Sequence, residues 1–194
     1  MQAVQVINFD NIFFPGGNTT AYSYLSDGYQ GFDWGGEKGQ YSWVVSPNDA
    51  TDWYGGTLQP YSHSGQNFAW TNGVQTPTPH GSSLQMTVHG GGTFDALSIW
   101  VRTWPNSTIG ITAHGFLNGV ESFSKIISIT QIYSQLSLNF LHIDKLTIDQ
   151  TQQSMLLDDI AVNNVSAVSE PSNLILMFGG LIGLGIGRSV RRQP

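Results

Sequence analysis

From Leu84 to Val162 the chain repeats one pattern, with apolar residues at every second position in short runs separated by turn residues. Leu84, Met86 and Val88 alternate with Gln85, Thr87 and His89. Leu97, Ile99 and Val101 alternate with Ser98, Trp100 and Arg102, and Ile109, Ile111 and Ala113 with Gly110, Thr112 and His114. Leu136, Leu138 and Phe140 continue the series, Leu146 and Ile148 flank Thr147, and Met155 to Val162 closes it. A period of two sends successive side chains to opposite faces of a strand, so each run has one buried and one open face. Asn118-Gly119 is a two-residue hairpin signal leading into Val120 to Ile129. No stretch of this region carries the period of an amphipathic helix.

Upstream the signals are sparser. Val4 to Phe9 reads as a first strand ending at Asp10-Asn11, followed by a turn at Phe13 to Gly17 and a long loop with brief strands over residues 18–39. Gln40 to Val45 and Asn67 to Trp70 are further strands on either side of a loop from Pro47 to Gly65. About ten short strands with one-sided alternation predict an all-β domain, a jelly-roll β-sandwich of two antiparallel sheets over residues 1–162, with a linker over 163–169.

Charge narrows the partners. Residues 1–169 hold twelve acidic and four basic side chains, a surface that disfavours nucleic acid and anionic lipid. With no cysteine, disulfides and thiolate metal sites are excluded.

The last residues have a different composition. Over 170–194, Glu170-Pro171 precedes an uncharged apolar run from Leu174 to Gly187, and Arg188, Arg191 and Arg192 follow. As a helix this 14-residue run is about 21 Å long, short of the roughly 30 Å hydrocarbon core. It therefore predicts a short or transient membrane span with the basic end cytoplasmic. This order resembles the PEP-CTERM sorting signal, with Ser-Glu-Pro-Ser in place of the commoner Pro-Glu-Pro. The resemblance implies an exosortase-type membrane protease as partner, transient inner-membrane anchoring, and delivery to the cell surface or extracellular matrix. The start, MQAVQVINFD, lacks the basic and apolar regions of a secretory signal. An exported protein is expected to have one, so the true start is expected upstream or the signal already removed.

The segments INFDN, GYQGFDWGG, GFLNG and LLDDIAV resemble the carbohydrate-binding-like jelly rolls of exported bacterial proteins that carry such tails. That resemblance implies the fold and points to a non-catalytic polysaccharide-binding role. A structural or adhesive matrix protein and a divergent glycan-active enzyme are the alternatives.

Candidate sites follow from residue types. Trp100 and Arg102 share one strand face, as do Thr112 and His114. If those faces coincide, a sugar-stacking indole, a guanidinium and two hydrogen-bonding groups lie together. Trp53 and Tyr54, with Trp34 and Tyr61, offer loop aromatics for the same purpose or plugs for the ends of the sandwich. Pairing of the first and last strands brings Asn8 and Asp10 beside Asp158 or Asp159, an oxygen-rich set suited to Ca2+ or, alternatively, to capping loop amides. Asp158 and Asp159, consecutive in a strand, are expected to point to opposite faces. The five histidines form no metal-binding motif, and no nucleophile elbow or phosphate loop appears.

Overall fold

The structure is a computed structural model that describes residues 3–14, 23–35, 43–47, 61–71, 83–104, 108–150 and 154–167. Twelve strands and no helix occur among them: β1 Gln5–Ile7, β2 Ser23–Tyr24, β3 Phe32–Gly35, β4 Trp43–Pro47, β5 Asn67–Thr71, β6 Ser83–Val88, β7 Gly92–Trp104, β8 Ile109–Leu117, β9 Val120–Ile129, β10 Ser134–Ile143, β11 Lys145–Gln150 and β12 Ser154–Ala167.

The alternations seen in the sequence resolve into an inner and an outer face, except at the start of the β7 run, where Ala96 is buried and Leu97 is not. Leu84, Met86, Val88, Ile99, Val101, Ile111, Ala113, Leu146 and Ile148 are all at most 4% exposed, and they meet in one core between the two sheets. Burying side chains of this size contributes roughly 1.5–3 kcal/mol each, which is what selects the period of two. Phe9, Phe32, Trp34 and Phe94 close one end of that core, with Phe32 and Phe94 edge to face at 5.2 Å.

The strand order is β10-β7-β12-β5-β4-β2 in one antiparallel sheet, with β1 also on β12, and β3-β6-β11-β8-β9 in the other. Within this, β5-β12-β7-β10 faces β6-β11-β8-β9. From β5 to β12 the chain changes sheet at each step except the β8–β9 hairpin, which is the winding of a jelly roll. The hairpin turns on Asn118 and Gly119 at φ 53° and 77°, the doubly positive pair that matches the strand twist, and Asp144 accepts the Asn118 amide.

One boundary differs from the sequence reading. Residues 163–167, assigned above to a linker, continue β12, with Asn163 opposite Asp95 and Ala167 opposite Gly92. β12 thereby becomes the longest strand. Its edge away from β7 is shared: Leu156 and Leu157 pair with β5, and Ile160 to Val162 pair with β1. Asp158 and Asp159 fall in the gap between those two partners.

The C-terminal residues Glu170, Pro171, Arg188, Arg191 and Arg192, the apolar run between them, and Trp53 and Tyr54 lie outside the described residues.

Candidate functional site

The gap on β12 is filled by the segment 61–66, which folds across the outer face of the seven-stranded sheet. The side chains beneath it hold it there. Asp158, with no exposed surface, accepts the His63 and Ser64 amides on one oxygen at 2.8 and 2.9 Å and the Asp159 amide on the other. Asp159 takes His63 Nδ1 at 2.7 Å and the Ser64 hydroxyl at 2.8 Å. Asp10 accepts the Gln66 and Asn67 amides, and the Asn67 side chain donates to Phe9 and Ile12 carbonyls.

Both aspartates of the pair therefore serve the same segment, contrary to the expectation that they point apart. The strand pairing shifts register between Asp158 and Ala161, and Asp159 sits at φ 44°. A bulge with positive φ breaks the two-residue alternation on which that expectation rested.

The anion cluster is electrostatically uneven. Burial pushes the Asp158 carboxyl up to about 7 from 3.8, against the lowering effect of the amides it accepts. Burial likewise raises Tyr133, which stays a neutral donor to the Tyr61 carbonyl at 2.5 Å.

Above these carboxylates lies a layer of planar groups. The His63 ring stacks on Trp100 with centroids 3.7 Å apart and planes 14° from parallel, and the Tyr133 ring meets His63 edge-on at 5.5 Å. The guanidinium of Arg102 lies over the rings of Tyr61 and Tyr133, at 6.0 and 5.6 Å. Trp100 faces outward because Ile99 and Val101 face inward, and its strand partners are Gln135 on β10 and Asp158 on β12. Gln135 donates to Ser98 one row away, so the exposed rim of the layer is polar.

Thr112 and His114 are not part of this surface. They lie on the outer face of the five-stranded sheet, with the core between them and Trp100. Alternation fixes a residue's face but not its sheet, and β7 and β8, though consecutive, belong to different sheets. His114 stands between Glu121 at 3.3 Å and Asp149 at 3.4 Å. Trp34 is a core plug, 3% exposed, with its indole N–H on the Tyr29 carbonyl.

Asn8 and Asp10 lie just beyond β1, and Asp10 holds Gln66 and Asn67 where Asp158 and Asp159 hold His63 and Ser64 of the same segment. Asn8 accepts the Asp10 amide, and the three carboxylates point at N–H and O–H donors of the loop. Donors converging on carboxylates suit capping rather than the shell of oxygens that Ca2+ takes. Among the described residues no group of three or more His, Asp or Glu is placed to hold a metal ion. Beside Trp100, Ser64 and His63 both bond to Asp159 and not to each other; hydroxyl–imidazole contacts occur instead at Ser124 and His114, 3.5 Å, and at Thr93 and His142, 3.4 Å.

His63, Ser64, Tyr133 and Gln135 are site residues that sequence reasoning did not single out. They reach the site through a loop and a strand end far from Trp100 in sequence, and no periodicity reports such a contact.

No family model and no curated protein matches the chain. Among solved structures it is similar to a variant of a family 29 carbohydrate-binding module made to probe ligand recognition, at 13% identity and TM-score 0.45, over 89% of this chain and 99% of that one. It is also similar to the N-terminal tandem domain of Paenibacillus barcinonensis Xyn10C, at 12% identity and TM-score 0.48, over 86% and 47%. A third is a family 29 carbohydrate-binding module from Piromyces equi, at 9% identity and TM-score 0.43, over 87% and 94%.

Proposed function

We propose that the domain is a non-catalytic polysaccharide-binding module whose ligand lies along the outer face of the seven-stranded sheet. The observation that carries this reading is the planar layer of His63, Trp100, Tyr133 and Arg102, rimmed by Gln135 and Ser98. Sugar rings stack on flat π-faces, and their hydroxyls need donors and acceptors at the edge of the stack. The His63 side chain keeps 28% of its surface open above Trp100, so the stacked pair presents a flat, wet surface.

Replacing Trp100 with alanine removes the platform under His63. The expected result is at least a tenfold weaker binding of the recognised glycan, about 1.4 kcal/mol, with an unchanged β-sheet circular dichroism spectrum. Unchanged glycan affinity in the folded variant would dismiss the site.

A second reading, a structural matrix domain without a defined ligand, is favoured by the same stack, because His63 already occupies one face of the indole at 3.7 Å. A glycan array separates the two: the structural reading predicts no hit.

We place the domain outside the inner membrane, delivered by the C-terminal segment as an exosortase-type sorting signal. Its support is the sequence order of Glu170-Pro171, apolar run and Arg188, Arg191 and Arg192. Intact mass of the protein from its native cells tests this. A C-terminus near Glu170 is expected, and a full-length tail in the inner-membrane fraction would instead identify a tail anchor.

A further inference from the structure

Four basic side chains belong to residues 1–169, and three are among the described residues. Lys125 donates to the Ser137 carbonyl, and Lys145 lies 4.3 Å from the Phe116 ring centroid on the five-stranded sheet. Arg102 is placed differently. Its guanidinium lies over two tyrosine rings, and those rings are tied together by the hydrogen bond from Tyr133 to the Tyr61 carbonyl. Its Nε has a long contact to its own strand neighbour, the Thr103 carbonyl at 3.5 Å.

The two terminal nitrogens of Arg102 have no acceptor among the described residues. Every ion pair among those residues uses a histidine as its cation, and Arg102 enters none of them. The oxygens of Asp158 and Asp159 are engaged by the 61–66 segment instead. Arg102 is half-buried as a residue, and a guanidinium with its position set by aromatic contacts and its terminal nitrogens without an acceptor among the described residues matches a carboxylate in shape and charge.

We infer that the ligand of this surface is an acidic polysaccharide, a chain containing uronic acid residues, whose carboxylate is taken in a bidentate contact by Arg102 while an adjacent ring stacks on the His63–Trp100 pair. This rests on the polysaccharide-binding reading above and narrows it to a class. The acidic balance of the rest of the domain opposes it only at long range. Charges beyond about 8 Å are largely screened at physiological salt, whereas a direct guanidinium–carboxylate contact is not. The preference for the acidic chain is therefore expected to survive moderate salt.

The test is calorimetric titration of the full-length protein with a galacturonic acid oligosaccharide and with its carboxyl-reduced, neutral counterpart of equal length. The acidic chain is expected to bind at least tenfold tighter. In Arg102→Gln the two affinities are expected to become equal, with an unchanged β-sheet circular dichroism spectrum as the control for folding. Arg102→Lys, which keeps the charge and loses the fork, is expected to retain only part of the preference. Equal binding of both chains by the unaltered protein, or a preference that persists in Arg102→Gln, overturns the acidic-ligand inference and leaves the polysaccharide reading intact. Failure to bind either chain or any member of a glycan array overturns both.

Discussion

Gly65→Ala is expected to be the most damaging single-methyl change in the described part of the chain. A Cβ at this position falls 1.7 Å from an Asp10 carboxylate oxygen and 2.2 Å from its carbon, far inside van der Waals contact. Gly65 also sits at φ 56°, where any residue with a Cβ costs about 1–2 kcal/mol. Asp10 cannot simply move aside, because one of its oxygens holds the Gln66 and Asn67 amides that start β5. Losing those charge-assisted bonds adds about 1.5–3 kcal/mol, for a total of roughly 3–5 kcal/mol, a large share of the 5–15 kcal/mol that a domain has. Denaturant melts measure this directly. The double variant Gly65→Ala with Asp10→Ala is expected to cost less than the sum of the two single changes, since removing the carboxylate removes the clash. Additive costs, or a Gly65→Ala melt within error of the unaltered protein, would contradict the close approach.

The second large effect is on pH. Asp158 has a carboxyl raised from 3.8 to about 7, by burial first and by the neighbouring Asp159 charge among the lesser causes. The folded state therefore holds a proton that the unfolded chain releases near pH 4. The resulting stability is fully present below the unfolded value and is lost as pH rises through about 7, up to an order of 3–4 kcal/mol. The domain is expected to melt lower at about pH 8 than at about pH 5, with the loss spread between about pH 4 and 7 and little further change above that. Asp158→Asn removes the titration, so the difference between the two proteins isolates it from all other carboxylates. The variant should be less stable at acid pH, since an amide in that place turns N–H toward at least one of the three backbone amides Asp158 now accepts. If the two proteins show the same dependence between those values, the buried proton is absent.

Much of the fold was legible because strand alternation is a local signal. Leu84, Met86 and Val88, or Ile109, Ile111 and Ala113, announce their buried face without knowledge of any partner. Asn118-Gly119 announces its turn for the same reason. What failed depends on partners. Thr112 and His114 share one face, as their spacing says, but whether it coincides with the face of Trp100 depends on the chain crossing between sheets after β7, which pattern alone does not report. Asp158 and Asp159 were placed on opposite faces by a rule that a bulge suspends. The polar run at 163–167 resembled a linker because its asparagines and serine are poor strand formers, yet the first residues of β7 offer it a ladder. His63 carried no signal at all: its stacking on Trp100 exists only once three aspartates have drawn the loop across the sheet.

β12 also has a mechanical consequence. The strand nearest the C-terminal tail is the same strand that pairs with β7 along almost its whole length, from Ser154 opposite Trp104 to Ala167 opposite Gly92, and that carries β1 and β5 on its other side. A pull entering from the residues after Ala167 runs along the strand axis, at right angles to its ladder hydrogen bonds. It strains many of them together in shear, where a strand lying across the pull would open one bond at a time. The β12 ladder is thus set to resist extension of the domain from its C-terminal side.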